Sequence, residues 1–223
     1  MSAPAAPGAG LHRLVLASAS PRRRELLERV GFTLDVRPAD IDETERPGEA
    51  PAAYVARVAR GKADAVSRPP GAWVLAADTT VTIDGAILGK AATPEEAAAM
   101  LRRLSGRAHQ VMTGFSIEGP GDGGAGGGRR RDAVVTSEVL MIELDEATLA
   151  DYVASGDWRG KAGAYALQGI AAALVREVRG SVTNVIGLPL AEVLAALREL
   201  DGPRPHFAAG HSAADPSPSG SST

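Results

Sequence analysis

A short stretch near the start of the chain combines hydroxyl groups, a proline and arginines directly after an apolar segment. The apolar segment ends at Leu16 and has the composition of a buried strand, and Pro21 suits the first position of a helix with Ser20 as its N-cap. The free N–H groups at a helix start attract anions, whereas Arg22 and Arg23 in the first turn oppose the helix dipole. The pattern therefore indicates either a turn that binds a polyanion or a solvated basic helix face.

A carboxylate follows the next strongly apolar segment of the chain. Trp73–Ala77 has a strand pattern, and Asp78 comes directly after it. Open α/β sheets bind ligands at the carboxyl ends of their strands. A carboxylate at that position can hold Mg²⁺ or Mn²⁺, or can take a proton from an attacking water. The alternative is an aspartate that only caps a turn.

Other charged residues offer partners for these two segments. The acidic run Asp40–Glu45 has the composition of a solvated loop, and one of its members reaching Asp78 would complete a metal pocket. Lys62 and Lys90 are candidates for phosphate contacts, and the alternative for both is a solvated lysine. Lys90 is not the lysine of an ATP-binding P-loop, because the preceding glycines are too closely spaced and Ala91 replaces the hydroxyl residue.

The segment Trp158–Gly169 has the composition of a binding loop, because its small residues allow a ligand to approach the backbone. Gln168 carries both a donor and an acceptor, so its amide matches the edge of uracil or thymine. The alternative is a buried glutamine that bonds to backbone groups. Asn184, in a second segment of similar composition, is expected to cap or brace the same wall.

The composition limits the classes of function. The chain has 223 residues, 44% of them hydrophobic and 23% charged, which suits one domain or two small lobes around a cleft. No apolar run reaches the roughly 20 residues of a membrane span, and Met1–Gly10 lacks the features of a signal peptide, so a cytoplasmic location and no membrane partner are expected. A net charge of −3 argues against a nucleic-acid polymer as partner and favours small phosphorylated molecules.

The chain also lacks the residues of several common active sites. It contains no cysteine, which excludes disulfides, thiol nucleophiles and cysteine-bound zinc. His109 is the only histidine between residues 13 and 201, which argues against a catalytic triad and against a histidine zinc site. The candidate chemistry is therefore that of carboxylates and cations.

Three stretches are interpreted as additions to one folded domain at residues 12–201. They are a flexible extension at residues 1–11, a glycine-rich insertion at residues 119–132 and a disordered tail at residues 202–223. The insertion contains a G-x-G-x-x-G match, but strand patterns stand on both sides of it, whereas a dinucleotide site requires a helix after the glycines. A flexible hairpin tip is therefore expected there.

The rest of the chain interleaves strand and helix patterns, which predicts an α/β fold with a mixed sheet. Thr93, Pro94 and Glu96 predict a helix start with a capping box. Strands are expected near residues 34–36, 110–117, 133–142 and 172–178, and helices near residues 54–62, 146–154 and 189–200.

Many short motifs, taken in order along the chain, closely resemble those of the Maf family of nucleotide pyrophosphatases. The resemblance runs from about Leu14 to Leu200 and rests on the whole series of motifs. The main motifs are Ser18–Arg23, Asp42–Glu43, Lys62–Ala63, Ala77–Thr79, Gly89–Lys90, Leu104–Gly114, Lys161–Tyr165, Leu167–Gly169 and Asn184–Pro189.

The resemblance implies an elongated, two-lobed fold around a mixed sheet, related to the inosine triphosphate pyrophosphatases, with the substrate in the cleft between the lobes. It implies hydrolysis of a nucleoside triphosphate to the monophosphate and pyrophosphate, with Mg²⁺ or Mn²⁺ as cofactor. The glutamine of the Tyr-x-x-Gln-Gly motif, Gln168, resembles the branch that acts on dTTP and UTP. The family also implies a homodimer, and its association with septum inhibition leaves a nucleotide-binding regulator acting through a protein partner as the alternative.

Individual residues take their expected roles from the matching motifs. Asp78 matches the family's proton acceptor. The positions that set base specificity correspond to Arg22, Thr79 and Gln168. Phosphate contacts are expected from Ser18, Arg23, Lys62 and Lys90, and metal contacts from Glu43 and Asp78. The chain departs from the family pattern at Thr80, at Ala91 and in the glycine insertion, and none of these departures removes a charged group from the site.

Overall fold

The amino-terminal part of the fold consists of parallel strands joined by helices. A computed structural model describes residues 13–121 and 128–207. Its first elements are β1 (Leu14–Leu16), α1 (Pro21–Arg29), β2 (Leu34–Val36), α2 (Pro51–Ala65) and β3 (Trp73–Ile83). Strand β1 pairs in parallel with both β2 and β3. Parallel neighbours require a crossover connection, which α1 and α2 supply.

The second part of the sheet is antiparallel. Its elements are β4 (Ala86–Leu88), α3 (Pro94–Leu104), β5 (Ala108–Glu118), β6 (Arg130–Met141), α4 (Glu146–Ser155), a 3₁₀ helix (Ile170–Leu174), β7 (Val175–Arg179), α5 (Val182–Ile186) and α6 (Leu190–Glu199). The strand order is β2-β1-β3-β5-β6-β7, and β4 pairs with the end of β3. The predicted α/β fold with a mixed sheet is confirmed.

Two apolar clusters lie at opposite ends of the long central strands β3 and β5. One cluster gathers Val81 and Val111 with side chains of α3, α4 and residues 158–174. The other gathers Leu75 and Ile117 with side chains of α1 and α6. Each central strand therefore runs from one core to the other, as expected for two lobes that share a sheet.

Helix α2 lies directly against the sheet because β5 carries a glycine beneath it. A Cβ atom added at Gly114 would collide with the backbone carbonyl of Val55. Val55, Val58 and Lys62 are buried on the face of α2 that meets the sheet. This close approach brings Lys62 against the middle of β3, where it meets Asp78.

Some local structure differs from the sequence-based predictions. The strand expected at residues 172–178 is only partly extended, because Ile170–Leu174 form the 3₁₀ helix and β7 begins at Val175. The predicted elements include no counterpart of β4 or α5. At the start of α3, the N–H of Glu96 donates to Oγ1 of Thr93 as expected, but the Glu96 carboxylate accepts from the N–H of Ala92 instead of that of Thr93.

The predicted additions lie mostly outside the described residues, which exclude residues 1–12, 122–127 and 208–223. Strand pairing continues into the predicted insertion, since β6 begins at Arg130 and the N–H of Gly119 donates to the carbonyl of Arg129 at 2.8 Å. Gly202 and Pro203 are buried, so the first residues of the predicted tail pack on the domain. Among residues 13–121 and 128–207, no helix has the length and apolar character needed to cross a membrane.

Candidate active site

A cavity of about 340 Å³ opens where the turn after β1, helix α2 and strand β3 meet. Eight of the nine predicted site residues line it, and the exception is Gln168, which is exposed. The eight are Ser18, Arg22, Arg23, Glu43, Lys62, Asp78, Thr79 and Lys90. The fold therefore brings together residues from the turn after β1, the first turn of α1, the loop before α2, α2 itself, β3 and the segment after β4.

A buried lysine joins the two carboxylates of the cavity. Nζ of Lys62 donates to Oδ1 of Asp78 at 2.8 Å and lies 2.9 Å from Oε1 of Glu43. Lys62 and Asp78 are each only 7% exposed. A buried charge without a partner is costly, so each of these two groups holds the other in place. The second oxygen of Asp78, Oδ2, takes no part in this ion pair.

The loop that carries Glu43 is fastened to α2 by another ion pair. Arg57 donates from Nε and Nη2 to the two carboxylate oxygens of Glu49, at 2.6 and 2.7 Å. Nη2 also donates to the carbonyl of Thr44 at 3.0 Å. The hydrogen bonds from Arg57 lower the pKa of Glu49 to about 2. Since Thr44 is the next residue after Glu43, this contact keeps the Glu43 carboxylate close to Lys62.

Arg23 is fixed by three different segments of the chain. Its Nε donates to the carbonyl of Gly187 at 2.8 Å, Nη1 donates to Oγ of Ser18 at 2.9 Å, and Nη2 donates to Oγ1 of Thr79 at 3.0 Å. Burial lowers the pKa of the Arg23 guanidinium, and the negative charge of Asp78 opposes this effect. The three bonds use three of the five N–H groups of an arginine, which leaves two for a ligand.

Helix α1, which follows the turn after β1, begins without a side-chain N-cap. Ser20 occupies the predicted N-cap position of α1, but its side chain makes no capping hydrogen bond. Its backbone N–H donates instead to Oγ of Ser18 at 3.2 Å. Arg22 is half-buried in the cavity wall at the first turn of the helix. With no side-chain cap, the first N–H groups of α1 are free to bind an anion.

Thr79 is bonded to protein groups within the cavity wall. Besides accepting from Arg23, its Oγ1 lies 2.9 Å from Oγ1 of Thr113 and 3.3 Å from the carbonyl oxygen of Gly187. Thr113 donates to the carbonyl of Asn184 at 3.2 Å, and Asn184 is fully buried, so it braces the wall beside Thr79; its expected contact with the Trp158–Gly169 segment stays a prediction. Sequence reasoning missed Thr113 and Gly187, because only the strand register places Thr113 opposite Thr79.

One side of the cavity is nonpolar. Val81, Val111, Ala162 and Tyr165 line it, and they belong to the apolar cluster of the lobe that contains α3 and α4. Most of the charged residues lie on the first turn of α1, on α2 and on β3. The cavity therefore has a charged end and a nonpolar wall, and the sequence carries no signal that separates Val81 or Val111 from ordinary core residues.

Comparison with known proteins identifies the family. A family profile described as "Maf-like protein" matches residues 13–200. The chain belongs to the Maf family. A dTTP/UTP pyrophosphatase of Anaeromyxobacter dehalogenans (strain 2CP-C) is 54% identical to this Maf chain over 193 residues, which are 86% of this chain and 96% of that protein. A dTTP/UTP pyrophosphatase of Myxococcus xanthus (strain DK1622) is 50% identical over 193 residues, with 86% and 94% covered.

One solved structure shows a distant resemblance to this Maf chain. The Staphylococcus aureus Ham1 protein matches with a TM-score of 0.41 and 17% identity, over 58% of this chain and 71% of that one. These values are too low to support a conclusion about the site.

The donors in this Maf site suit a divalent cation whose shell is completed by other oxygens. Among residues 13–121 and 128–207, no group of three or more acidic or histidine side chains is placed to hold a metal. The carboxylates of Asp78 and Glu43 do converge, because both contact Nζ of Lys62. Mg²⁺ is commonly bound by one or two carboxylates together with waters and substrate phosphates. The donor set therefore fits Mg²⁺ or Mn²⁺ bound together with a triphosphate.

Lys90 and Gln168 lie at the edge of the site. Lys90 is exposed, lines the cavity and pairs through its backbone with Ala162. Gln168 is exposed in the turn before the 3₁₀ helix, whereas Tyr165 and Ala166 just before it line the cavity. The alternative of a buried glutamine is therefore wrong, and contact of Gln168 with a base stays a prediction.

Proposed function

We propose that this Maf chain hydrolyses nucleoside triphosphates, foremost dTTP and UTP, to the monophosphate and pyrophosphate. The observation that carries the proposal is a cavity in which the carboxylate of Asp78 lies among four cationic side chains and beside a nonpolar wall. Relatives with 54% and 50% identity are named dTTP/UTP pyrophosphatase, which supports this choice of substrates.

The charged end of the cavity suits the triphosphate. Arg22, Arg23, Lys62 and Lys90 line it together with two carboxylates, so positive charge is in excess. Arg23 is held in place by its bonds within the protein, so it binds a phosphate oxygen with little further loss of side-chain freedom. The free N–H groups at the start of α1 add contacts to the same anion.

Asp78 is the residue to which we assign water activation. Its Oδ1 binds Lys62, so Oδ2 is the oxygen that accepts the proton of the attacking water. The water attacks the α-phosphorus, the bond from that phosphorus to the bridging oxygen of the β-phosphate breaks, and pyrophosphate leaves beside the cationic side chains. No side chain forms a covalent bond with the substrate.

Glu43 and Asp78 are the residues that would hold the divalent cation, Mg²⁺ or Mn²⁺. Bound there, the cation would balance charge on the phosphate oxygens and on the leaving group. Lys62 lies between the two carboxylates and offsets their mutual repulsion, so they stay close together before a cation binds.

Gln168 is the residue that we propose reads the base, because its amide offers the donor and acceptor that uracil and thymine match. It follows Ala166, which lines the cavity, by two residues. The proposal places the reaction in the cytoplasm and treats a homodimer as the expected assembly. Nothing in the described residues favours the alternative of a nucleotide-binding regulator of septum formation.

The test is to incubate the purified chain with dTTP, UTP, CTP, ATP and GTP in the presence of Mg²⁺ or Mn²⁺. We expect pyrophosphate and the nucleoside monophosphate in equal amounts, formed fastest from dTTP and UTP, and no turnover when the metal is chelated. Orthophosphate as the product would contradict the proposed reaction. Equal rates with all five nucleotides would contradict the proposed base preference.

A further inference from the structure

The nonpolar wall contains an aromatic residue whose hydroxyl group is bonded to a buried histidine. Tyr165 lines the cavity with Val81 and Val111, yet it is only 5% exposed. Its hydroxyl lies 2.7 Å from Nε2 of His109, which is buried on β5. Because His109 does not line the cavity, the hydroxyl is bound within the protein and is not the part of Tyr165 that is offered to a ligand.

His109 holds this ring through a bond between uncharged groups. The two rings meet edge to face, with centroids 5.4 Å apart and planes at 87°. Burial lowers the pKa of His109 to about 4, and burial also raises the pKa of Tyr165. Both side chains are therefore neutral near pH 7, and their hydrogen bond is shielded from competing water.

The loop around Tyr165 is fixed independently of that hydroxyl bond. The N–H of Gly163 donates to the carbonyl of Gly89 at 3.0 Å, and the hydroxyl of Tyr152 donates to the carbonyl of Ala164 at 3.1 Å. Ala164 has a φ of +63°, a left-handed conformation that a residue with a side chain rarely adopts. The loop backbone is held at several points, so the loss of one of these bonds leaves it in place, whereas the hydroxyl bond sets the direction of the Tyr165 ring.

We propose that Tyr165 contacts the nucleobase of the substrate, and that His109 is a positioning residue that holds the Tyr165 ring for this contact. The proposal rests on the proposed function, because a nucleotide joins a planar, largely nonpolar base to its phosphates. Arg23 and Lys62 mark the end of the cavity that binds phosphate, so the base is left to the nonpolar wall. An aromatic ring at that wall offers the base dispersion and stacking contacts.

A contact of this kind acts on binding and not on the chemical step. Loss of the ring should therefore weaken the binding of a nucleotide and leave the binding of a bare phosphate chain unchanged. Two probes separate these effects: α,β-methylene-UTP, which carries a base but cannot be cut between its first two phosphates, and inorganic tripolyphosphate, which carries no base.

The first experiment is calorimetry with both probes on the wild type and on Tyr165→Leu. We expect Tyr165→Leu to weaken α,β-methylene-UTP binding about 10-fold and to leave tripolyphosphate binding within about twofold. Equal weakening of both probes, or no weakening of the nucleotide, would overturn the base contact. The measurement does not depend on turnover, so a wild-type chain that binds the nucleotide but releases no pyrophosphate from UTP would overturn the proposed function alone.

The second experiment tests the role of His109 through KM and kcat for UTP. Tyr165→Phe and His109→Leu each remove the hydroxyl–imidazole bond while keeping the Tyr165 ring. We expect each to raise KM about 2- to 5-fold with kcat unchanged, and the double variant to be no worse than either single variant. His109→Gln, whose amide can restore a hydrogen bond to the hydroxyl, should recover part of the loss.

Tyr152→Phe is the matched control for that experiment. It deletes a hydroxyl hydrogen bond to the same loop from a buried tyrosine that does not line the cavity. We expect its KM for UTP to match the wild type, even if its melting temperature falls as far as that of Tyr165→Phe. An equal rise of KM in Tyr152→Phe, or effects of Tyr165→Phe and His109→Leu that simply add, would overturn the positioning role.

Discussion

The charged end and the nonpolar wall of the cavity are built in different ways. At the charged end, the central groups are held by bonds between separate elements: Arg23 bonds to the turn after β1, to β3 and to Gly187, and Lys62 bonds to Asp78. At the nonpolar wall, Tyr165 and Val111 are members of a lobe's core with one side towards the cavity. The charged end should therefore control the chemical step, and the wall should control nucleotide binding and the stability of its lobe.

The largest effect is expected from Asp78→Asn at the charged end. The amide keeps the shape of the side chain but removes the base and a negative charge, so kcat should fall about 10²-fold or more. Asp84→Asn is the matched control, because Asp84 is exposed just beyond the same strand and contacts Arg107 outside the cavity. Near-normal turnover in a folded Asp78→Asn protein would refute the assignment of the base.

For the nonpolar wall, the expected effect is a loss of the protein's folding stability in acid. Burial lowers the pKa of folded His109 to about 4, below its usual value of 6.5. Only the unfolded chain then binds a proton between these pH values, so stability present above pH 6.5 is lost as the pH falls towards 4. By linkage this loss is about 2 kcal/mol at pH 5.

The measurement for this prediction is urea unfolding at pH 7.5 and pH 5 of the wild type and of His109→Gln. Other groups titrate in both proteins, so the informative quantity is the difference between the two pH dependences. We expect His109→Gln to lose less free energy of unfolding over this range than the wild type does. An identical pH dependence would mean that His109 is not held neutral behind the wall.

A smaller effect on catalysis is expected from Arg23→Lys. A lysine has no planar fork of donors, so it cannot serve Ser18, Thr79 and Gly187 together and still bind phosphate. We expect kcat/KM for UTP to fall about 10-fold, the cost of one charge-assisted hydrogen bond. Arg24→Lys, one residue later on the exposed face of α1, should change kcat/KM by less than about twofold. Equal effects of both variants would remove Arg23 from the phosphate site.

The smallest effect is expected from Gln168→Glu, because Gln168 is exposed and outside the cavity. The change replaces a donor and an acceptor by acceptors alone, so rates with dTTP and UTP should fall about 3- to 10-fold relative to CTP, ATP and GTP. Gln110→Glu, at an exposed glutamine on β5, is the control and should leave the ranking of nucleotides unchanged. An unchanged ranking in Gln168→Glu would remove that residue from base recognition.

The charged end could be predicted from the sequence, because its charged residues occupy positions where such residues are unusual. A carboxylate directly after the apolar segment Trp73–Ala77 and arginines at a helix start both call for a functional explanation, and both line the cavity. The bonds between these groups were not predictable in the same way. The contact of Lys62 with Asp78 depends on how closely α2 approaches the sheet at Gly114.

The nonpolar wall could not be predicted from the sequence, because its residues cannot be distinguished from ordinary core residues. Val81 and Val111 lie in apolar strands, and only the fold shows which side of each strand faces the cavity. The bond between His109 and Tyr165 joins residues 56 positions apart through a loop with left-handed backbone at Gly163 and Ala164. The sequence argued against His109 as a catalytic or zinc-binding residue but did not indicate its partner.

We infer that water attacks the α-phosphorus of a triphosphate held beside Asp78. Hydrolysis of UTP by the wild type in ¹⁸O-labelled water tests this directly. Mass spectrometry of the products shows which phosphorus received the oxygen of the water. We expect one labelled oxygen in UMP and none in the released pyrophosphate. Label in the pyrophosphate would place the attack on the β-phosphorus and contradict this inference.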